Sequence, residues 1–198
     1  YDVNPFAVIA TKINIAYIGI NNHEIDLIAP FIEALKCENV KNSYRLILYG
    51  NTISNEKWNQ LGLSEIAEYR GWLDYSKDVS TLKDIDVFLQ LLDDNNVSKA
   101  GWPNKLGDYL AFGKPVILSP YGDIIDFVKN EKGFFIVEYN KYSILKILQE
   151  IKDIPYSDLK TMGYANRQLA EKISWKNRAK NIEYICNKIR FNNETVKN

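Results

Sequence analysis

In 198 residues, an apolar share of 46% and a charged share of 25% are those of a globular chain able to bury a full hydrophobic core. The 25 basic and 25 acidic side chains cancel, so no net field draws the chain to nucleic acid or to an acidic membrane surface. No apolar run reaches the length of a bilayer span, the start lacks the basic-then-apolar order of a signal peptide, and Cys37 and Cys186 have neither metal nor redox spacing, which together predict a cytoplasmic protein with reduced thiols.

The chain opens at Tyr1 without a methionine and so reads as a processed or excised piece. Tyr1 to Lys12 show no periodicity and read as a lead-in or linker. Ile13 to Ile20 is a run of branched apolar residues, the signature of a strand buried on both faces. It ends at Gly19 and opens into Asn21, Asn22 and His23. Ile25, Ile28, Phe31, Ile32 and Leu35 then trace one face of a single helix ending near Cys37. Tyr44 to Tyr49 is the second strand, closed by Gly50; Glu56 to Leu61 is a helix; Ile66 to Tyr69 is a short strand running into Arg70 to Asp74. A helix over Ser76 to Lys83 and a strong strand over Val87 to Leu92 follow. Asp93 to Trp102 reads as a polar loop.

Next comes the most informative stretch, Gly101 to Tyr121. Pro103 and Asn104 start a helix, Leu106, Tyr109 and Leu110 repeat at helical spacing, Gly113 stops it, and Pro115 to Leu118 is a buried strand. Lys105 and Asp108 share one helical face. A helix start beside a lysine attracts anions, and a carboxylate one turn on accepts hydrogen bonds from a diol, so the pair suits the phosphate and ribose of a nucleotide. A helix over Ile124 to Asn130, a strand over Phe134 to Val137, and helices over Tyr142 to Lys152, Ser157 to Glu171 and Trp175 to Phe191 complete the chain. Asn192 to Asn198 reads as a flexible polar tail.

Strands and helices alternate from residue 13 to about 152, which predicts an α/β fold: a Rossmann-like parallel sheet with helices on both faces and the C-terminal helices packed outside. Residues 13–172 form the main domain in this reading, 173–191 a closing helix and 192–198 the tail. Ligands of such sheets sit at the carboxyl ends of the strands. That edge gathers Asn21 to His23, Arg70 to Leu73, Asp93 to Trp102 and Asn104 to Asp108.

In order, Gly19, Gly50, Gly71-Trp72-Leu73-Asp74, Asp86-Val87-Phe88-Leu89 and Pro103 to Ile117 resemble the C-terminal, donor-binding domain of a GT-B glycosyltransferase of the retaining group 1. Ile173-Ser174-Trp175 with Arg178 is similar to that family's last helix, which packs back toward the acceptor domain. The resemblance implies one half of a GT-B fold and transfer of a sugar from a nucleotide diphosphate sugar to a carbohydrate or lipid-linked acceptor, as in glycan, polysaccharide or glycolipid synthesis. It implies no resident cofactor and no metal. It also implies an N-terminal acceptor-binding domain outside this chain, through which the protein meets the inner face of a membrane.

The family's site carries over unevenly. Members hold two glutamates separated by seven residues, the second on the ribose; Asp108 stands in that second position and Ala100 in the first. Where many members place an arginine and then a lysine after the first strand's glycine, this chain has Ile20, Asn21 and Asn22. Lys105 is then the expected catalytic cation at the diphosphate. Gly19, Asn21, Asn22, Asn104 and Asp108 are expected around the donor, with Trp72 and Leu73 at the base.

Blander roles stand beside these. Asn21 to His23 also reads as a strand-to-helix turn capped by Asn22, Trp72 and Trp102 as loop-edge aromatics completing the core, and Asp93-Asp94 as solvated acids rather than a metal motif. The competing function is a non-catalytic nucleotide or nucleotide-sugar binding module, which Ala100 permits.

Overall fold

The structure, a computed structural model, describes residues 12–195; the expected lead-in up to residue 11 and residues 196–198 of the expected tail lie outside it. Six strands, β1 (Ile13–Ile20), β2 (Tyr44–Gly50), β3 (Ala67–Tyr69), β4 (Val87–Gln90), β5 (Val116–Leu118) and β6 (Phe134–Ile136), form one sheet in the order β3-β2-β1-β4-β5-β6. Every pairing is parallel. All strand carboxyl ends therefore lie along one edge. The order reverses between β1 and β4, which opens a crevice there.

The strands read as unbroken apolar runs because both faces are covered. Ile15 and Tyr17 of β1 face a core built with α1 (Glu24–Leu27), α2 (Ala29–Leu35) and α7 (Lys141–Ile151). Ala16 and Ile18 face the other core, built with α5 (Asn104–Ala111), α6 (Ile124–Val128) and Leu169 of α8 (Tyr156–Lys172). The expected doubly covered parallel sheet is what forms.

Several local expectations are corrected. The single helix from Glu24 is two, because Pro30 lacks an N–H and α2 restarts around it, with Phe31 and Ile32 both donating to the Ile28 carbonyl. The helix expected over Ser76 to Lys83 is a turn and a short 3₁₀ segment, Val79–Leu82. Side chains hold that backbone instead: Asp74 Oδ1 accepts from the Ser76 amide (2.9 Å) and Asp78 Oδ2 from the Asp74 amide (3.1 Å). The polar loop after β4 contains a helix, α4 (Asn96–Ala100), whose Ser98 amide donates to Asn95 Oδ1 (2.8 Å). Between β2 and β3, α3 (Asn55–Gln60) is capped by the Ser54 hydroxyl. The last helix, α9 (Trp175–Thr195), runs past the expected end at Phe191.

Along α9, Trp175, Ile182, Ile185 and Ile189 recur at heptad-like spacing, and each is more than half exposed. The fold leaves that stripe unpartnered among the described residues.

Candidate functional site

At the carboxyl edge β1 carries a bulge, its register with β2 shifting between Ile18 and Ile20. Gly19 occupies the bulge at φ 85°, where a side chain is strained, and a Cβ there would lie 3.0 Å from Lys105 Cε. The absent side chain leaves a gap in the strand's rim. Lys105, on the first turn of α5, reaches through it from one face of the sheet to the other. Its Nζ donates to Tyr17 Oη (3.0 Å) and to Glu24 Oε2 (3.1 Å) and lies 4.5 Å from the centre of the Tyr17 ring. The Tyr17 hydroxyl donates to the same Glu24 oxygen. Burial, reinforced by Glu24, pushes the Tyr17 phenol far above its ordinary value, so it remains a donor at neutral pH.

Gly50 completes the floor; a Cβ there would lie 2.3 Å from the Ile20 carbonyl oxygen, so only glycine lets β2 pass so close to the bulge. Above these glycines lies a cleft of about 200 Å³ lined by Ile18, Gly19, Gly50, Trp72, Leu73, Tyr75 and Lys105. Leu73 is buried and Trp72 is 70% exposed, which corrects the reading of Trp72 as a core-completing residue. Tyr75 stacks on Phe112 and donates to Asp108 Oδ2 (3.2 Å). Partial burial and the neighbouring Asp108 push its phenol up to about 12. The cleft thus has an apolar, aromatic end and one cation, the combination that fits a base with a phosphate.

The remaining expected residues divide. Asn21, not Asn22, closes the turn leading into α1, its Oδ1 accepting from the His23 (2.8 Å) and Glu24 (2.9 Å) amides. Asn22 Oδ1 accepts from the Ser54 amide (2.8 Å) and ties the loops after β1 and β2 together. Asn104 and Asp108 line a second hollow, of about 490 Å³, with Trp102, Gly107, Trp175 and Arg178. Asp108 meets the Gly19 cleft only through Tyr75. Trp102 packs edge-on against Phe127. Pro103 offers no side-chain cap, so the first amides of α5 are not capped by a side chain. Arg70 is committed to structure, pairing with Glu68 (2.8 Å) and both oxygens of Asp84 (2.9 and 2.7 Å).

Beyond the Lys105–Glu24 pair a third hollow, of about 370 Å³, is lined by His23, Glu24, Asp26, Asp93, Asn95 and Ser98. Asp93 is held by Ser98 (2.9 Å) and Asn95 (2.7 Å). Among the described residues no group of three or more His, Cys, Asp or Glu is arranged to hold a metal ion. A further hollow around Asn14, Asp84, Asp86 and Lys152 lies at the opposite, amino edge of the sheet, away from the converging loops. No motif announces Tyr17, Glu24 or Tyr75. Glu24 is visible in the sequence only as an acid in the first turn of α1.

A family profile described as "Glycosyl transferases group 1" matches residues 12–153. No curated protein matches in sequence. Among solved structures, a sucrose-phosphate synthase from Thermosynechococcus elongatus superposes with a TM-score of 0.68 at 14% identity, over 91% of this chain and 46% of that one. Anabaena HepE, solved with UDP, gives 0.61 at 14% identity, over 81% of this chain and 44% of that one. The C-terminal domain of the group 1 glycosyl transferase LpcC from Francisella tularensis gives 0.56 at 14% identity, over 82% of this chain and 85% of that domain. The chain therefore spans less than half of the first two proteins and most of the isolated domain.

Proposed function

The chain belongs to the glycosyl transferases of group 1, and from that premise we propose that it is the donor-binding half of an enzyme that moves a sugar from a nucleotide diphosphate sugar to an acceptor hydroxyl. The observation that carries this reading is Lys105 projecting over Gly19 into a cleft walled by Trp72 and Tyr75, at the crevice where the strand order reverses. HepE, similar in fold, has been solved with UDP and with UDP-glucose.

In the reaction the bond from the sugar's anomeric carbon to the diphosphate oxygen breaks, its electron pair staying on the diphosphate. The acceptor oxygen forms the new bond and gives up its proton to the departing diphosphate or to water. Charge thus accumulates on the leaving diphosphate, where a cation and oriented amides lower the barrier. Lys105 is the catalytic group in this reading, assisted by the first amides of α5. The base stacks toward Trp72 and Leu73, the ribose lies by Tyr75 and Asp108, and Gly19 with the Asn21–Asn22 turn borders the diphosphate, while Asn104 lines the neighbouring hollow. No metal has a part in this account.

The acceptor, a carbohydrate or lipid-linked one, falls to an N-terminal domain, and the exposed stripe of α9 supports a packing surface for it. Free Cys37 and Cys186 support a reducing, cytoplasmic setting, and no described helix is long and apolar enough to cross a membrane.

A second reading, a nucleotide-sugar binding module without catalysis, is favoured by one observation: Ala100, at the end of α4, offers no carboxylate. Calorimetric titration of the chain with UDP, GDP and their sugars tests binding; Lys105→Ala is expected to weaken it at least tenfold and Asp108→Ala severalfold. Transfer by the protein joined to its acceptor domain separates the two readings. If no nucleotide binds, both are wrong.

A further inference from the structure

Two donors, the Tyr17 hydroxyl and the Lys105 ammonium, converge on one oxygen of Glu24. A phosphate oxygen in the Gly19 cleft draws on the same ammonium, since Lys105 lines that cleft. We propose that Glu24 is an internal competitor for the cation of the donor site, standing in for phosphate in the ligand-free chain and weakening the hold on a nucleoside diphosphate. This inference rests on the donor-site reading above.

Geometry supports it from three sides. Lys105 faces the Gly19 cleft, while Glu24 lines the adjoining hollow, so the pair is the partition between them. Both side chains are about 30% exposed, so neither is locked in the core and the carboxylate has room to swing aside. The space it would swing into already holds Asp93, and beside it Asp26, whose carboxylate is paired with Lys57. Like charges at close range oppose that move. A diphosphate therefore has to displace an anion from Lys105 and push it toward the carboxylate of Asp93.

The opposite role, Glu24 as a splint that aims Lys105 at the phosphate, would give the opposite sign of effect. Coulomb energy falls only as the inverse of distance, so a carboxylate 3.1 Å from Nζ cancels much of what the ammonium offers an incoming phosphate. Lys105 is also steered by the Tyr17 ring and confined by the Gly19 gap, so Glu24 is not needed to aim it.

The test is titration of the full 198-residue chain at low salt with UDP, and with uridine as a phosphate-free control. Glu24→Gln is expected to bind UDP about tenfold tighter, with uridine unchanged, and the gain is expected to vanish in the Lys105→Met background. Glu24→Ala serves as the second variant, with melting curves to verify folding, and the same gain is expected. If Glu24→Gln and Glu24→Ala bind UDP equally or more weakly while Lys105→Met loses affinity, the competitor role is overturned and the donor site stands. Should wild type and Lys105→Met bind UDP alike, the donor-site reading falls and takes this inference with it.

Discussion

The backbone N–H of Ile18 donates to the hydroxyl of Tyr109 across 3.0 Å, so the residue just before the Gly19 bulge is held by a side chain of α5. Tyr109 is fully buried and stacks on Phe88, ring centres 4.3 Å apart. That bond fixes how α5, and with it Lys105, sits over the bulge. Tyr109→Phe leaves a buried amide unpaired at a cost of about 1–3 kcal/mol. Thermal melting should show a Tm lower by roughly 4 °C, since 1 kcal/mol is worth about 2–4 °C in a chain of this size.

Gly19→Ala is expected to act twice. Its positive φ costs about 1–2 kcal/mol for any side chain, and the new methyl group crowds Lys105 Cε. Gly62→Ala, also at positive φ but facing only the flexible end of Lys36, carries the strain alone. Both variants should melt lower, while only Gly19→Ala should lose UDP affinity, by about tenfold in calorimetry.

Asp86 is held above the usual carboxylate range by burial, although the Asn14 amide donates to it (2.9 Å) and Lys114 lies near. A raised folded-state value in an acid means the folded chain binds the proton more tightly than the unfolded one. Its contribution is thus favourable at acid pH and is lost as pH rises through the folded value. Asp86→Asn keeps an oxygen for Asn14 and removes the charge. It should raise Tm at pH 7, and the gain should shrink toward pH 4, as melts across that range would report.

Ile182→Glu with Ile185→Glu should leave the Tm of this chain within about 2–4 °C, because exposed substitutions are worth about 0.5 kcal/mol or less each. The same pair should abolish association with an acceptor domain supplied as a separate chain, measured by size-exclusion chromatography.

The doubly covered sheet was legible because buried parallel strands write themselves as unbroken apolar runs such as Ile13 to Ile20, and the glycines at their ends mark where loops open. Local competition hid other elements. The aspartates at 74 and 78 capture amides that a helix would have used, and Pro30 cuts a periodicity that otherwise runs on. The place of Lys105 at a helix start was legible. Its partners were not: Tyr17 and Glu24 lie 88 and 81 residues away in sequence. That meeting depends on the strand register and on the missing side chain of Gly19, neither of which local spacing encodes.

The length of α9 has a practical side. At about 1.5 Å per residue, its 21 residues make a rod as long as a small domain is wide, with one greasy edge in water. In concentrated solution such a rod invites copies of the chain to zip together. Ending the polypeptide at Ser174 would discard that edge and keep every wall of the Gly19 cleft, leaving a better-behaved specimen for crystallisation and ligand screening.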